Sequence, residues 1–151
     1  MTIVAKSVLI TAGAGGAGLE IARSFVEAGA KVTVCDIDPV AIQRAEDEGL
    51  LAVLADVSQM EEVEQVFAIA EERHGAVEVL VNNVGIAGPT AAVEDLGLAD
   101  WERTLAVNTT SFFLCIRRAV PLMKASKSGV IINISSGSAK VGLPLRVAYV
   151  V

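Results

Sequence analysis

Thr11-Ala12-Gly13-Ala14-Gly15-Gly16-Ala17-Gly18 decides how this chain folds. The stretch leaves a short apolar run at residues 7–11 and enters a segment of helical composition at residues 16–28. Between a strand and a helix, glycines let the backbone turn tightly. They also let a pyrophosphate approach the helix N-terminus, where free amides and the helix dipole favour negative charge. A glycine-rich string by itself equally suits any tight turn that needs positive φ, so it is the strand before and the helix after that point to a phosphate. The spacing Gly13-x-Gly15-Gly16-x-Gly18 departs from a plain G-x-G-x-x-G, so a variant turn is expected.

Outward from that turn, five runs rich in Val, Ile and Leu stand at residues 7–11, 31–36, 51–54, 77–81 and 130–134. Helical patterns separate them, and such alternation marks parallel βαβ units. The first helix should bury Leu19, Ala22, Phe25 and Val26 and stop at Gly29. Asp38-Pro39 reads as an N-cap followed by proline at the first helical position, with Gly49 ending that helix. Ser58-Gln59-Met60-Glu61 reads as a capping box, and Met60, Val63, Phe67 and Ala70 follow at helical spacing. A fourth long helix is expected from about residue 100 to 125, with Trp101, Leu105, Phe112 and Ile116 inward. Right-handed crossovers then predict a doubly wound parallel sheet of order 3-2-1-4-5. Its ligand site falls at the carboxyl ends of strands one and four, where the winding reverses.

Composition removes several classes of function. The chain has 151 residues, 12 Lys+Arg and 18 Asp+Glu, for a net charge of −6. With pI ≈ 4.8 it lacks the basic surface that nucleic acid requires. A hydrophobic share of 53% and a mean hydropathy of +0.58 exclude disorder and fit strands buried on both faces. No run of ~18 uncharged apolar residues suggests a membrane span, and the opening residues show no secretory leader. Cys35 and Cys115 have no metal spacing and are expected to be reduced, in a cytoplasmic protein. His74, the single histidine, suits a helix C-terminus as a cation, which argues against a histidine-based hydrolase or a metal site. Glu61, Glu62, Glu64, Glu71 and Glu72 read as a solvated helix face.

Asp36 ends the second strand, 18 residues after Gly18. A carboxylate there accepts hydrogen bonds from both adenosine ribose hydroxyls and repels a 2′-phosphate. Neither the glycine turn nor Ile37 supplies a cation to offset that repulsion, so NAD is favoured over NADP. The competing role for Asp36 and Asp38 is helix capping, which Asp38 fills better. Asp56-Val57 follows strand three, and Asn82-Asn83-Val84-Gly85 follows strand four. Both suit turns, yet both also fall at strand ends where ligands bind, and Asp56 could accept an adenine amino group.

Taken together, these motifs resemble the short-chain dehydrogenase/reductase family, which has a Rossmann-type fold. Thr11 with Gly16-Ala17-Gly18 resembles its T-G-x-x-x-G-x-G turn, with Ala12 for the first glycine. Asn82-Asn83-Val84-Gly85 resembles N-N-A-G, and Asp56-Val57 its acid–valine pair near adenine. Asn108 stands where the family carries a helix asparagine. Asn133-Ile134-Ser135-Ser136 matches the end of strand five, and Tyr149 lies 13 residues beyond Ser136. The resemblance implies hydride transfer between a nicotinamide and an alcohol or carbonyl carbon of a small substrate. Tyr149 would be the general acid/base, Ser136 would hold the substrate oxygen, and Asn108 would fix a water. Read without that resemblance, the three are a chain-end aromatic, a loop hydroxyl and a helix polar residue.

The family's tyrosine belongs to Y-x-x-x-K, whereas this sequence reads Tyr149-Val150-Val151. A phenol ionises near pH ~10, and the lysine ammonium assists it. The 151-residue polypeptide is therefore expected to be a very poor dehydrogenase, with a frayed Tyr149. Residues 1–151 are expected to form one cofactor-binding domain, truncated before strands six and seven. Strand five then becomes an exposed edge prone to self-association or homo-oligomer formation. Two other readings stand beside the enzyme: a non-catalytic NAD-binding module, and a structural partner completed by another chain. The apolar stretches at residues 86–95 and 140–147 suggest an uncharged substrate; Arg146 could contact an anionic group but reads better as a solvated loop residue.

Overall fold

A computed structural model of the chain describes residue 3 and residues 6–151; the opening stretch that bears on a secretory leader lies mostly outside them. Five parallel strands, β1 (Ser7–Thr11), β2 (Lys31–Asp36), β3 (Leu51–Leu54), β4 (Val79–Asn82) and β5 (Val130–Asn133), form one sheet of order β3-β2-β1-β4-β5. This is the expected doubly wound order. The fourth strand starts later than the apolar run, although the Glu78 amide already donates to Ser7 O at 2.9 Å. Every residue of β1 and β4 is buried, whereas β5 forms an edge and becomes exposed toward its end.

Strand alternation divides the core in two. Val8, Ile10, Val34, Val79 and Val81 pack with Ala22 of α1 (Gly16–Glu27) and with Ile42 and Ala45 of α2 (Pro39–Asp47). Leu9, Cys35, Val53 and Leu80 face the other way. They meet Val63, Val66, Phe67 and Ala70 of α3 (Met60–His74), together with Cys115 and Ala119 from further along the chain. Phe67 has 0% exposure, so truncating it to alanine costs roughly 3–5 kcal/mol.

The glycine stops form as read. Gly29 donates to Val26 O at 2.9 Å and Ala30 to Phe25 O at 3.0 Å, and Gly49 and Leu50 repeat this pattern on Glu46 and Ala45. Asp38 caps α2 by accepting from the Val40 amide at 2.9 Å.

Several local expectations are corrected. Val26 of α1 is exposed at 46%, and Ile21 packs in its place beside Phe25. Met60 opens α3 and is 47% exposed, while Val66 completes the buried face. The capping box does not form. The Ser58 hydroxyl donates to Asp56 Oδ1 at 2.7 Å, and Gln59 is the N-cap without a side-chain bond. The carboxylate that reaches back belongs to Glu62, which accepts from the Asp56 amide at 2.6 Å. Glu64 and Glu71 are not simply solvated: both pair with Arg118 at 2.8 Å, and its guanidinium lies 5.2 Å from the Phe67 ring centroid. His74 ends α3 as expected, but its surroundings disfavour the cation. Burial, then Lys31 and Arg73, lower its pKa from 6.5, and its Nδ1 lies 3.1 Å from Thr33 Oγ1.

The expected fourth long helix is interrupted. It runs as α4 (Leu98–Leu105), one π turn (Ala106–Thr110) and α5 (Ser111–Ser126). The extra residue in the π turn resets the helical phase. The buried face is Thr104, Val107, Ser111, Cys115 and Ala119, and the bulkier Trp101, Leu105, Phe112 and Ile116 are only half-buried. Two single turns, α6 (Ser138–Val141) and α7 (Val147–Val150), follow β5.

Candidate active site

The glycine turn satisfies two demands of opposite kind. At Gly18 a Cβ would sit 2.1 Å from Ala12 O, and at Gly13 one would sit 2.8 Å from Val34 Cγ1, so both positions exclude any side chain. At Gly15 and Gly16 nothing lies within 4 Å, which leaves open ground over the start of α1. Gly15 caps α1 with no side-chain bond, and the first turn carries no acid. The amides there are free for an anion, and Ala17 beside them is exposed. These residues fit a dinucleotide pyrophosphate. Ala12 accounts for the variant spacing: it adopts φ +48 itself, a strain of roughly 1–2 kcal/mol that glycine avoids.

Thr11 and Asn83 lock the strand ends together where the winding reverses. Thr11 Oγ1 accepts from the amides of Asn83 (3.0 Å) and Val84 (3.1 Å). Asn83 Nδ2 returns bonds to the carbonyls of Thr11 (3.1 Å) and Ala12 (3.0 Å). Thr11 Oγ1 and Asn83 Nδ2 are thereby committed to the protein.

Two crevices open on this seam. The smaller, about 180 Å³, is lined by Asp36, Ile37, Asp56, Val57, Arg103 and Val107 among others. Asp36 Oδ1 accepts from the Asp38 amide at 3.2 Å. Partial burial pushes the Asp56 carboxyl up, but the Ser58 hydroxyl and amide and the Arg103 guanidinium outweigh it and hold the group below its usual value. The larger crevice, about 460 Å³, is of the size of small-molecule sites and brings Asn108, Ser136 and Tyr149 together. Val84, Gly85 and Ile86 line both.

Within the larger crevice, Ser136 Oγ accepts from the Ser138 amide and lies 3.2 Å from Ser138 Oγ. Tyr149 sits in the formed turn α7 rather than a frayed end, its amide donating to Arg146 O at 2.9 Å. Arg146 is not a solvated loop residue: its Nη1 donates to the carbonyls of Ala87 (3.3 Å) and Gly88 (2.6 Å). Asn108 spends both side-chain polar atoms on Ile86. Sequence reasoning missed Arg103, Ser138 and the backbone of Ile86. Among the described residues no helix is long and apolar enough to cross a membrane, and no cluster of His, Cys, Asp and Glu could hold a metal.

An open parallel sheet wound in both directions, with a glycine turn feeding its first helix and a polar cleft at the reversal, defines a Rossmann-type α/β protein. The family model for short chain dehydrogenases matches residues 6–150, and the chain belongs to the short-chain dehydrogenase/reductase family of oxidoreductases. It is 40% identical over 144 residues to a short chain dehydrogenase/reductase of Gibberella zeae, covering 91% of this chain and 53% of that protein. It is 37% identical over 153 residues to a D-beta-hydroxybutyrate dehydrogenase of Rhizobium meliloti, covering 96% and 59%. The crystal structure of 3-ketoacyl-(acyl-carrier-protein) reductase from Brucella melitensis complexed with NADH matches with a TM-score of 0.92 at 31% identity, covering 97% of this chain and 64% of that one. The chain thus spans somewhat over half the length of these relatives.

Proposed function

We propose that residues 1–151 form the cofactor-binding and catalytic domain of an NAD-dependent oxidoreductase acting on an alcohol or carbonyl substrate. The observation that carries this reading is the convergence of Asn108, Ser136 and Tyr149 on one crevice that shares a wall with the Asp36 crevice. When bound, the nicotinamide would supply or accept the hydride. Gly13, Gly16, Ala17 and Gly18 would seat the pyrophosphate. Asp36 would hold the adenosine ribose beside Ile37, with Asp56 and Val57 at the base and Val84 and Gly85 along the shared wall. Ser136, polarised by the Ser138 amide, would donate to the substrate oxygen, and Tyr149 would exchange its proton with that oxygen. Asn108 would act by fixing Ile86 on the wall that the two crevices share.

NAD is preferred over NADP because Asp36 Oδ2 has no protein donor among the described residues, so the carboxylate can serve a ribose diol and would repel a phosphate. Titration calorimetry on the chain tests this. We expect NAD to bind at least about tenfold more tightly than NADP, with D36N narrowing the gap; equal affinity, or no binding of either, would overturn it. NADH-dependent ketone reduction that Y149F and S136A abolish supports the assigned roles, and ordinary rates unaffected by both would sink them. If NAD binds but no turnover is found, the non-catalytic module is the better reading.

On the same reading the domain works in the cytoplasm, where the free thiols Cys35 and Cys115 stay reduced. It self-associates along β5, where Ile132 and Ile134 are 37% and 41% exposed. A monodisperse monomer at high concentration in sedimentation would count against that.

A further inference from the structure

We infer that Arg103 is a positioning residue for base recognition, fixing the Asp56 carboxylate as the acceptor that distinguishes adenine from a purine lacking the 6-amino group. The inference rests on the nucleotide reading above and adds to it a residue that acts through Asp56. Arg103 Nη1 donates to Asp56 Oδ2 at 3.1 Å and to Ser58 Oγ at 3.2 Å. The Ser58 amide and hydroxyl both bond to Asp56 Oδ1, at 3.0 and 2.7 Å. The two carboxylate oxygens are therefore held from two separate elements, one donor group from the turn before α3 and the other from α4.

Without Arg103 the remaining bonds all fall on one oxygen, and Oδ2 is free to take water. With it, Oδ2 is fixed, still charged, and retains a lone-pair site for one more donor. Such a waiting acceptor rewards an amino group and leaves a purine without one unpaired. Arg103 is itself 47% exposed, and ion pairs at that exposure contribute little to stability. Its bonds serve instead to hold one wall of the crevice that also contains Ile37 and Val107.

The test compares two probes by calorimetry on the 151-residue chain: NAD and the nicotinamide purine dinucleotide that lacks only the 6-amino group. The unsubstituted chain should prefer NAD about tenfold or more, the worth of one hydrogen bond to a charged acceptor. R103Q should lower that preference to about threefold or less, and R103K, which keeps the charge and a donor, should restore part of it. A purely structural role would weaken both probes equally and leave their ratio unchanged. An unchanged ratio in folded R103Q, or an R103K ratio no higher than that of R103Q, overturns the inference while the nucleotide reading stands. Failure of both dinucleotides to bind the unsubstituted chain overturns the two together.

Discussion

Asn108 grips the backbone of Ile86 at both ends: its Nδ2 donates to the Ile86 carbonyl at 2.9 Å, and its Oδ1 accepts from the Ile86 amide at 2.8 Å. The side chain thus replaces the neighbouring strand that Ile86 lacks. N108A should cost about 1–3 kcal/mol in urea unfolding, since two hydrogen bonds go at a half-buried site. N108D retains the acceptor but loses the donor, and should fall between N108A and the unsubstituted chain. A free energy unchanged in both variants would contradict the grip.

The glycine turn predicts opposite outcomes for neighbouring substitutions. G18A places a methyl 2.1 Å from Ala12 O and should unfold the turn, lowering stability by about 2 kcal/mol or more. G15A meets nothing within 4 Å and its φ of −153 suits any residue, so stability should stay within about 0.5 kcal/mol. If NAD lies on that open ground, G15A should still weaken its binding. Thermal melts and calorimetry separate the two effects.

His74 makes stability depend on pH in a stated direction. Its folded pKa is lowered, so the folded chain favours the neutral ring. The unfolded chain takes up the proton first as pH falls below the ordinary value of 6.5. The contribution is therefore complete above that pH and is lost as pH falls through the folded value. Urea midpoints should decline across this window, and H74Q should flatten the decline.

Cys35 and Cys115 should resist alkylation while the chain is folded. Both are 1% exposed. Burial raises the Cys35 thiol, with Cys115 and Asp36 adding to it, and burial alone takes Cys115 up to about 12. Thiolate is the reactive form, so modification near pH 8 should track unfolding in denaturant. Rapid labelling of the native chain would show that the packing around them is looser than described.

What the sequence made legible follows from what kind of interaction carried it. Parallel strands buried on both faces appear as unbroken apolar runs, and helix stops appear as glycines that need positive φ, so sheet order and helix ends could be read directly. The Asp56–Arg103 bond joins residues 47 positions apart, with no periodicity to announce it. The partner of Asn108 is the backbone of Ile86, and a backbone carries no residue identity to read. Ser58 and Glu61 had the right letters for a capping box, yet Asp56 competed successfully for the same hydroxyl. The π turn Ala106–Thr110 also passed unseen, because neither glycine nor proline marks it.

That π turn gives the site a separate route of change from the fold that carries it. A π turn is a helix with one surplus residue. Deleting a single residue within it would restore continuous α-helical winding while the buried ridge of Ser111, Cys115 and Ala119 kept its seat on the sheet. Asn108 would swing away from Ile86, and the shared wall of both crevices would come loose. One codon could thereby dismantle the crevice that gathers Asn108, Ser136 and Tyr149 and spare the sheet beneath it.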